Sequence, residues 1–182
     1  MPDDTLEQAR GRLKQVFRWL DGHADVDGLF RDPELVQLMG PALAEPFRDQ
    51  GITAVVGVEA IGFIPASLVA SSLRVGLVLV RKHARPGGEK VANRTAPDWR
   101  GREVPLELHR DHIGGSDRVL IVDEWVETGN HALAAWRLIE ACGALPVGVA
   151  AIVDDVSDNE LRRRLRLQGL VRAAELPAAR LR

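Results

Sequence analysis

The chain has 182 residues, 46% of them apolar, which is enough to bury one core and makes a single domain the expected organisation. Its 24 basic and 26 acidic residues leave a net charge of −2, so no overall positive field favours nucleic acid. The one cysteine, Cys142, excludes an internal disulfide. Neither a secretory signal pattern nor an apolar run of membrane-spanning length is present, so we expect a cytoplasmic protein that does not enter membranes.

Two helices are predicted within residues 1–50, ahead of a core at 51–182. The first is an amphipathic helix whose apolar face carries Leu6, Leu13, Val16, Phe17 and Leu20. The second runs from Leu35 to Phe47, with a kink expected at Pro41 or Pro46. We therefore treat residues 1–50 as an N-terminal segment packed on one larger structural domain.

Strands and helices alternate through the core. Strands are predicted at 53–58, 76–80, 119–122 and 147–153, and helices at 63–73 and up to Cys142, with Gly143 as the C-cap. This order indicates an α/β fold with a parallel sheet covered on both faces, and it places ligands at the carboxyl ends of the strands.

One segment combines a strand, two acids and a turn. Four branched apolar residues, 119–122, have the character of a buried strand and run straight into Asp123 and Glu124. The turn at Thr128-Gly129 then feeds a helix, whose first N–H groups and positive dipole end favour a phosphate. Carboxylates that accept hydrogen bonds from a cis-diol, beside such a turn, suit a ribose 5-phosphate. The alternative is an ordinary strand-turn-helix unit with solvated acids.

Residues 119–129 resemble the phosphoribosyl-pyrophosphate signature of type I phosphoribosyltransferases. The likeness is closest to adenine phosphoribosyltransferases, whose motifs recur in the same order at 28–32, 55–63, 80–82 and 106–111. The resemblance implies that family's single-domain parallel-sheet fold, with helices on both faces, a mobile lid loop and a small N-terminal hood at 1–50.

The resemblance also implies a reaction. Ribose 5-phosphate would pass from 5-phosphoribosyl 1-pyrophosphate to a nucleobase, with adenine favoured, and the products would be a nucleoside 5′-monophosphate and pyrophosphate. Mg²⁺ would be bound mainly through substrate and water, with no metal ligand from the protein. A homodimer acting in purine salvage is expected, with no membrane partner and with nucleic acid an improbable ligand.

The resemblance assigns site residues in three groups. Ribose and 5-phosphate would be bound by Asp123, Glu124, Val126, Glu127, Thr128, Gly129, Asn130 and His131. Pyrophosphate would lie on Glu59, Ala60, Ile61 and Gly62, with Arg81 and Lys82 supplying positive charge. The nucleobase would contact Phe30 and Trp125, unless these two aromatic residues only pack in the core. Glu127, before the Thr-Gly turn, stands where the related hypoxanthine-guanine enzymes carry an acid and adenine enzymes a small residue. It would act as the proton acceptor, unless it only tunes the phosphate loop or caps the following helix, and Asp123 and Glu124 would complete the catalytic group.

Four positions, Asn130, His131, Ile61 and Trp125, depart from the family pattern. Thr128-Gly129-Asn130-His131 stands where the family usually has Thr-Gly-Gly-Thr, Ile61 replaces an arginine, and Trp125 replaces a small aliphatic residue. These changes keep a second hypothesis open, a regulatory protein that binds phosphoribosyl pyrophosphate or a nucleotide without transferring anything.

Two other segments are ambiguous. Residues 81–105 lack periodicity, which indicates either a lid that excludes water from the ribosyl centre or a solvated loop. The run 161–167 predicts a helix with packed leucines and solvated arginines, and RNA binding by those arginines is the weaker alternative. His109 and His112 are three residues apart, but no further His or Cys spacing completes a metal site.

Overall fold

The computed structural model describes residues 2–83, 86–97 and 101–178. Its N-terminal part contains α1 (Pro2–Val16), β1 (Trp19–Leu20), β2 (His23–Ala24), α2 (Val26–Leu29) and α3 (Pro33–Ala44). Asp32 caps α3 by accepting a hydrogen bond from the Leu35 N–H at 2.8 Å, and Pro33 occupies the first helical turn, where its missing N–H costs nothing. The predicted second helix is therefore present, but it passes into a 3₁₀ turn at Glu45–Gln50.

The first helix is shorter than predicted. Leu20 is 55% exposed and lies in β1, so its place on the apolar helix face was wrong. Asp21 and Gly22 have positive φ angles of 49° and 82°, which makes the β1–β2 connection a tight two-residue hairpin. An Asp-Gly pair is the usual sequence for such a turn.

The core elements are β3 (Ala54–Val58), α4 (Phe63–Leu73), β4 (Gly76–Val80), β5 (Lys90–Arg94), β6 (Pro105–His109), β7 (Arg118–Val126), α5 (Asn130–Ala141), β8 (Leu145–Asp154), α6 (Asn159–Arg164) and β9 (Leu167–Arg172). Five of the strands form a parallel sheet in the order β4-β3-β7-β8-β9. Alternate residues of β7 point into two apolar clusters, with Leu120 and Val122 in one and Val119 and Ile121 in the other. The predicted parallel sheet with both faces covered is confirmed.

The segment after β4 is more regular than its sequence suggested. β5 and β6 pair antiparallel, and the side chains of Leu106 and Leu108 are buried against the cluster that contains Val80. We call residues 90–109 the β5–β6 hairpin; its residues 98–100 fall outside the described part of the chain. The expectation of a segment without regular structure at 81–105 was wrong for Lys90–Arg94, because these residues pair with the strand that Leu106 and Leu108 anchor.

The basic run near the C-terminus is divided between two elements. The helix α6 ends at Arg164, and Arg166 turns the chain with a φ of 47° into β9, so a continuous helix over 161–167 was wrong. None of the described helices is both long enough and apolar enough to cross a membrane.

Candidate active site

Asp123 and Glu124, which we call the acidic pair, lie in β7 just past its last pairing with β3. The expected end of this strand at Val122 was wrong, because β7 stays paired with β8 as far as Val126. The strand β3 pairs with β7 up to Gly57 and Val122, and with β4 up to Val58 and Val80. Because the carboxyl ends of parallel strands share one edge of a sheet, the β3–α4 loop and the segment after β4 face the acidic pair. Three segments that the sequence analysis assigned to one ligand are thus brought together.

Asp123 is buried, and its neighbour Glu124 is half-buried. Asp123 is 8% exposed, and its Oδ1 accepts a hydrogen bond from the Glu124 N–H at 3.0 Å. Burial, together with the hydrogen bond and charge of the Glu124 side chain, raises the pKa of Asp123 well above its usual value. Oε2 of Glu124 is buried and has no hydrogen-bond partner among the described residues. Asp123 can therefore hold a proton at a higher pH than an ordinary aspartate does.

Gly62 forms the floor next to the acidic pair. A Cβ atom at this position would lie 2.5 Å from Oδ1 of Asp123, 2.5 Å from the Val58 carbonyl oxygen and 3.2 Å from Oε2 of Glu124. Only glycine allows the β3–α4 loop to approach this closely. In the same loop the Glu59–Ala60 peptide bond is cis, and the Ile61 side chain is half-buried.

Glu59 holds residues 81–83, which follow β4 and which we call the basic segment. Its Oε2 accepts hydrogen bonds from the backbone N–H groups of Lys82, at 2.6 Å, and His83, at 3.3 Å. Its Oε1 lies 3.6 Å from Nη1 of Arg81. Burial alone would raise the pKa of Glu59, but these N–H groups and the charges of His83 and Arg81 lower it below its usual value. The carboxylate of Glu59 is thus occupied in fixing the basic segment.

Arg81 is also tied to the β5–β6 hairpin. Its N–H donates to the Glu107 carbonyl oxygen at 2.8 Å, and its own carbonyl oxygen accepts from the Glu107 N–H at 2.9 Å. The guanidinium carbon lies 5.3 Å from the ring centroid of Phe63, within the range of a cation–π contact. The hairpin and the basic segment therefore form one connected unit.

The β7–α5 turn, residues 127–131, lies at the same edge of the sheet as the acidic pair. The side chains of Glu127 and Thr128 are exposed, and Oγ1 of Thr128 accepts a hydrogen bond from the Asn130 N–H at 3.3 Å. Gly129 has a φ of 73°, and its carbonyl oxygen accepts the Leu133 N–H at 2.8 Å, where α5 begins. The first N–H groups of α5 follow directly, as an anion site requires.

His131 lies close enough to Lys82 and Glu124 for their charges to act on its imidazole. The ring Nε2 is buried and has no hydrogen-bond partner among the described residues. Burial, followed by the positive charge of Lys82, lowers the pKa of His131, while the charge of Glu124 acts in the opposite direction. The imidazole is therefore neutral at pH 7 in the free protein.

The two aromatic candidates pack beside one apolar cluster. Phe30 and Trp125 are half-buried against that cluster, and the Trp125 ring meets the edge of Trp19 with centroids 6.5 Å apart. Nε1 of Trp125 donates to Oδ2 of Asp155 at 3.4 Å. No ring contact between Phe30 and Trp125 is found among the described residues. Trp19 was missed by sequence analysis, although the Asp-Gly turn that presents it was visible.

A buried ion cluster behind the β7–α5 turn was also missed. Oδ2 of Asp154, which is fully buried, accepts hydrogen bonds from Nε of Arg162 at 2.8 Å and Nη1 of Arg172 at 3.0 Å. Arg162 is thus not a solvated member of the basic run, contrary to expectation. The cluster secures α6, whose Leu161 packs so closely on the turn that a Cβ at Gly129 would lie 2.7 Å from its Cδ2.

Comparisons with known proteins agree with this geometry. Residues 25–170 match the family described as "Phosphoribosyl transferase domain". The adenine phosphoribosyltransferase of Shewanella pealeana is 36% identical over 173 residues, which cover 93% of each chain. That of Phocaeicola vulgatus is 35% identical over 130 residues, or 71% of this chain and 74% of the relative. The crystal structure of adenine phosphoribosyltransferase from Rhodothermus marinus has a TM-score of 0.79 and 33% identity, covering 91% of this chain and 99% of that chain. The chain therefore belongs to the phosphoribosyltransferase family of enzymes.

Proposed function

We propose that the protein transfers ribose 5-phosphate from magnesium 5-phosphoribosyl 1-pyrophosphate to a nucleobase, with adenine favoured. The observation that carries the proposal is the acidic pair, which lies between the glycine floor at Gly62 and the β7–α5 turn. The relatives named adenine phosphoribosyltransferases support adenine as the acceptor. The products are a nucleoside 5′-monophosphate and pyrophosphate.

The acidic pair suits the ribose diol. A protonated Asp123 can donate to one hydroxyl, and the carboxylate of Glu124 can accept from the other through its unpartnered Oε2. The charge-assisted hydrogen bond to Glu124 and the neutral one from Asp123 together hold the sugar in one orientation. The 5-phosphate then reaches the N–H groups at the start of α5, with Val126, Thr128, Gly129, Asn130 and His131 forming its surroundings.

The pyrophosphate group lies on the β3–α4 loop. Ile61 contributes no charge there, so the positive charge that stabilises the leaving group comes from Arg81 and Lys82, held in place by Glu59. Mg²⁺ enters as part of the substrate, bound by its oxygens and water. Among the described residues, no group of three or more His, Cys, Asp or Glu side chains is arranged to hold a metal ion.

The nucleobase approaches from the side of Trp125. Its attacking nitrogen forms a bond to C1 of the ribose as the bond from C1 to pyrophosphate oxygen breaks, and the base then loses a proton. Glu127 is exposed beside the acidic pair and can accept that proton. The β5–β6 hairpin, linked to Arg81, closes over the reaction and keeps water from competing as the nucleophile.

A panel of bases tests the reaction. Adenine, guanine, hypoxanthine, xanthine and uracil are each supplied with magnesium and phosphoribosyl pyrophosphate, and nucleotide and pyrophosphate are both quantified. We expect both products with adenine. If no base yields either product although phosphoribosyl pyrophosphate binds, the protein is the non-transferring regulator considered above.

The sugar site has a separate test. The double change Asp123→Asn/Glu124→Gln removes the charged acceptor and should weaken binding of magnesium phosphoribosyl pyrophosphate by ~2–5 kcal/mol in isothermal titration. The control is Asp111→Asn/Glu160→Gln, which makes the same two side-chain replacements at exposed positions. Equal affinities for the wild type and a folded double variant would remove the proposed site.

A further inference from the structure

His131 stands at the position of the β7–α5 turn where the resembled family usually carries a threonine. Its Nε2 is buried with no hydrogen-bond partner among the described residues, and so is Oε2 of Glu124. Buried polar atoms without partners are costly, so two of them in one site indicate that a ligand supplies the partners.

The charges around His131 come from two elements. The segment after β4 contributes Lys82, and β7 contributes Glu124 with Asp123 beside it. Lys82 and burial both favour a neutral imidazole, and only Glu124 favours the imidazolium. A dianionic phosphate brought next to the ring would reverse this balance, because it adds negative charge and supplies an acceptor for Nε2.

We propose that His131 is a ligand-binding residue that takes up a proton from solvent when the substrate binds and donates a hydrogen bond from Nε2 to the 5-phosphate. The inference rests on the proposed function, since it assigns a role within the same site. It makes the affinity for a ribose 5-phosphate group depend on pH. Affinity is highest while the bound imidazole is protonated, and it falls as the pH rises through the pKa of His131 in the complex.

The test uses ribose 5-phosphate as the probe, in isothermal titrations at about pH 7, where most of the phosphate is dianionic. Titrations in buffers of different ionisation enthalpy give the number of protons taken up. The wild type should take up more protons than His131→Gln, which keeps a donor near the Nε2 position but cannot titrate. The variant should bind roughly 5- to 20-fold more weakly, because a neutral hydrogen bond replaces a charge-assisted one.

Two controls separate His131 from general damage to the site. Pyrophosphate lies on the other loop and reaches His131 only through the charge of Lys82, so its affinity should change much less in His131→Gln than that of ribose 5-phosphate does. His112→Gln, an exposed histidine outside the site, should change neither proton uptake nor affinity. The variant His131→Thr, which restores the family's usual residue, should bind ribose 5-phosphate without extra proton uptake and provides a second readout if the glutamine variant does not fold.

Equal proton uptake by the wild type and both variants would overturn the inference while leaving the proposed function intact. So would an equal loss of affinity for ribose 5-phosphate and pyrophosphate, because the histidine would then shape the whole site. A wild type that binds neither ribose 5-phosphate nor phosphoribosyl pyrophosphate would instead overturn the proposed function, and the inference with it.

Discussion

At the scale of single residues, the site places a carboxyl group where ionisation is unfavourable. Asp123 is buried against Glu124, and both burial and the neighbouring charge raise its pKa well above the usual value. The folded protein therefore binds a proton at Asp123 that the unfolded chain releases above pH ~4. Stability contributed by this group is fully present below that pH and is lost as the pH rises through the folded-state pKa.

The change Asp123→Asn removes this titration. We expect the wild type to lose stability relative to the variant as the pH rises from about 4 through the folded-state pKa of Asp123, because the folded protein holds this proton more tightly than the unfolded chain does. Urea unfolding of both proteins across this range measures the difference. A difference that does not vary with pH would show that Asp123 has an ordinary pKa in the folded state.

Glu127 gives a kinetic prediction. Its side chain is exposed and makes no hydrogen bond or ion pair among the described residues, so Glu127→Gln should fold normally. If it accepts the proton from the base, kcat should fall by roughly 10²- to 10⁴-fold while affinity for phosphoribosyl pyrophosphate is retained. Steady-state kinetics with the best base provides the measurement, and Glu160→Gln is the matched exposed control. A variant that loses rate and affinity together would mean that Glu127 shapes the turn instead.

At the scale of elements, the β5–β6 hairpin gives a prediction about closure. Trypsin should first cut the free protein within residues 81–110, where Arg94 and Arg102 are exposed at the end of the hairpin remote from the Arg81–Glu107 pairing. Magnesium phosphoribosyl pyrophosphate should slow these cuts severalfold, because cleavage follows local opening. Cuts in α1 during the same digest, far from the site, serve as the control and should not slow. Protection that is equal in α1 and the hairpin would contradict closure.

The elements that were predicted well have strong periodicity or a visible terminating residue. The helix α4 and the strand β4 were predicted to the residue, and Gly143, with a φ of 82°, follows α5 as expected. The strand β9 was missed because the residue that ends the preceding helix in a left-handed conformation is Arg166, not the glycine or asparagine that would mark a stop.

Parts of the site could be found from sequence, and parts depend on the tertiary structure. The acidic pair, the turn after it and the β3–α4 loop follow from strand ends and from the family's motif order. The role of Glu59 as the anchor of Lys82 and the burial of Nε2 of His131 depend on which loops the parallel sheet places side by side. The pairing of Asp154 with Arg162 and Arg172 likewise joins side chains that share no sequence pattern.

At the scale of the whole molecule, the Asp154 cluster joins the C-terminal third of the fold to the site. Asp154→Asn removes the charge that both arginines share and should destabilise the protein by roughly 1–3 kcal/mol, less than for a fully buried pair because the arginines are partly exposed. Urea unfolding measures this change, with the exposed neighbour Asp155→Asn as the control. We also expect weaker binding of phosphoribosyl pyrophosphate, because α6 supports Gly129. Equal stability of the variant and the wild type would contradict a structural role for the cluster.

The homodimer implied by the family resemblance stays a prediction at this scale. The side chains of Ile64 on α4 and Leu77 on the edge strand β4 are 43% and 37% exposed, so both offer apolar surface that a second subunit could cover.

Trp125, which contacts Trp19, makes the intrinsic fluorescence of the protein a probe of the site. The chain has four tryptophans and no tyrosine, so its intrinsic fluorescence comes from indole rings. Trp125 follows the acidic pair directly, and its Nε1 donates a hydrogen bond to Asp155. Nε1 of Trp136 donates instead to Glu140 on α5. A charged sugar phosphate bound at the acidic pair should change the electric field at the Trp125 indole and leave the environment of Trp136 unchanged. Occupancy of the site can therefore be followed in the emission spectrum of the unlabelled protein.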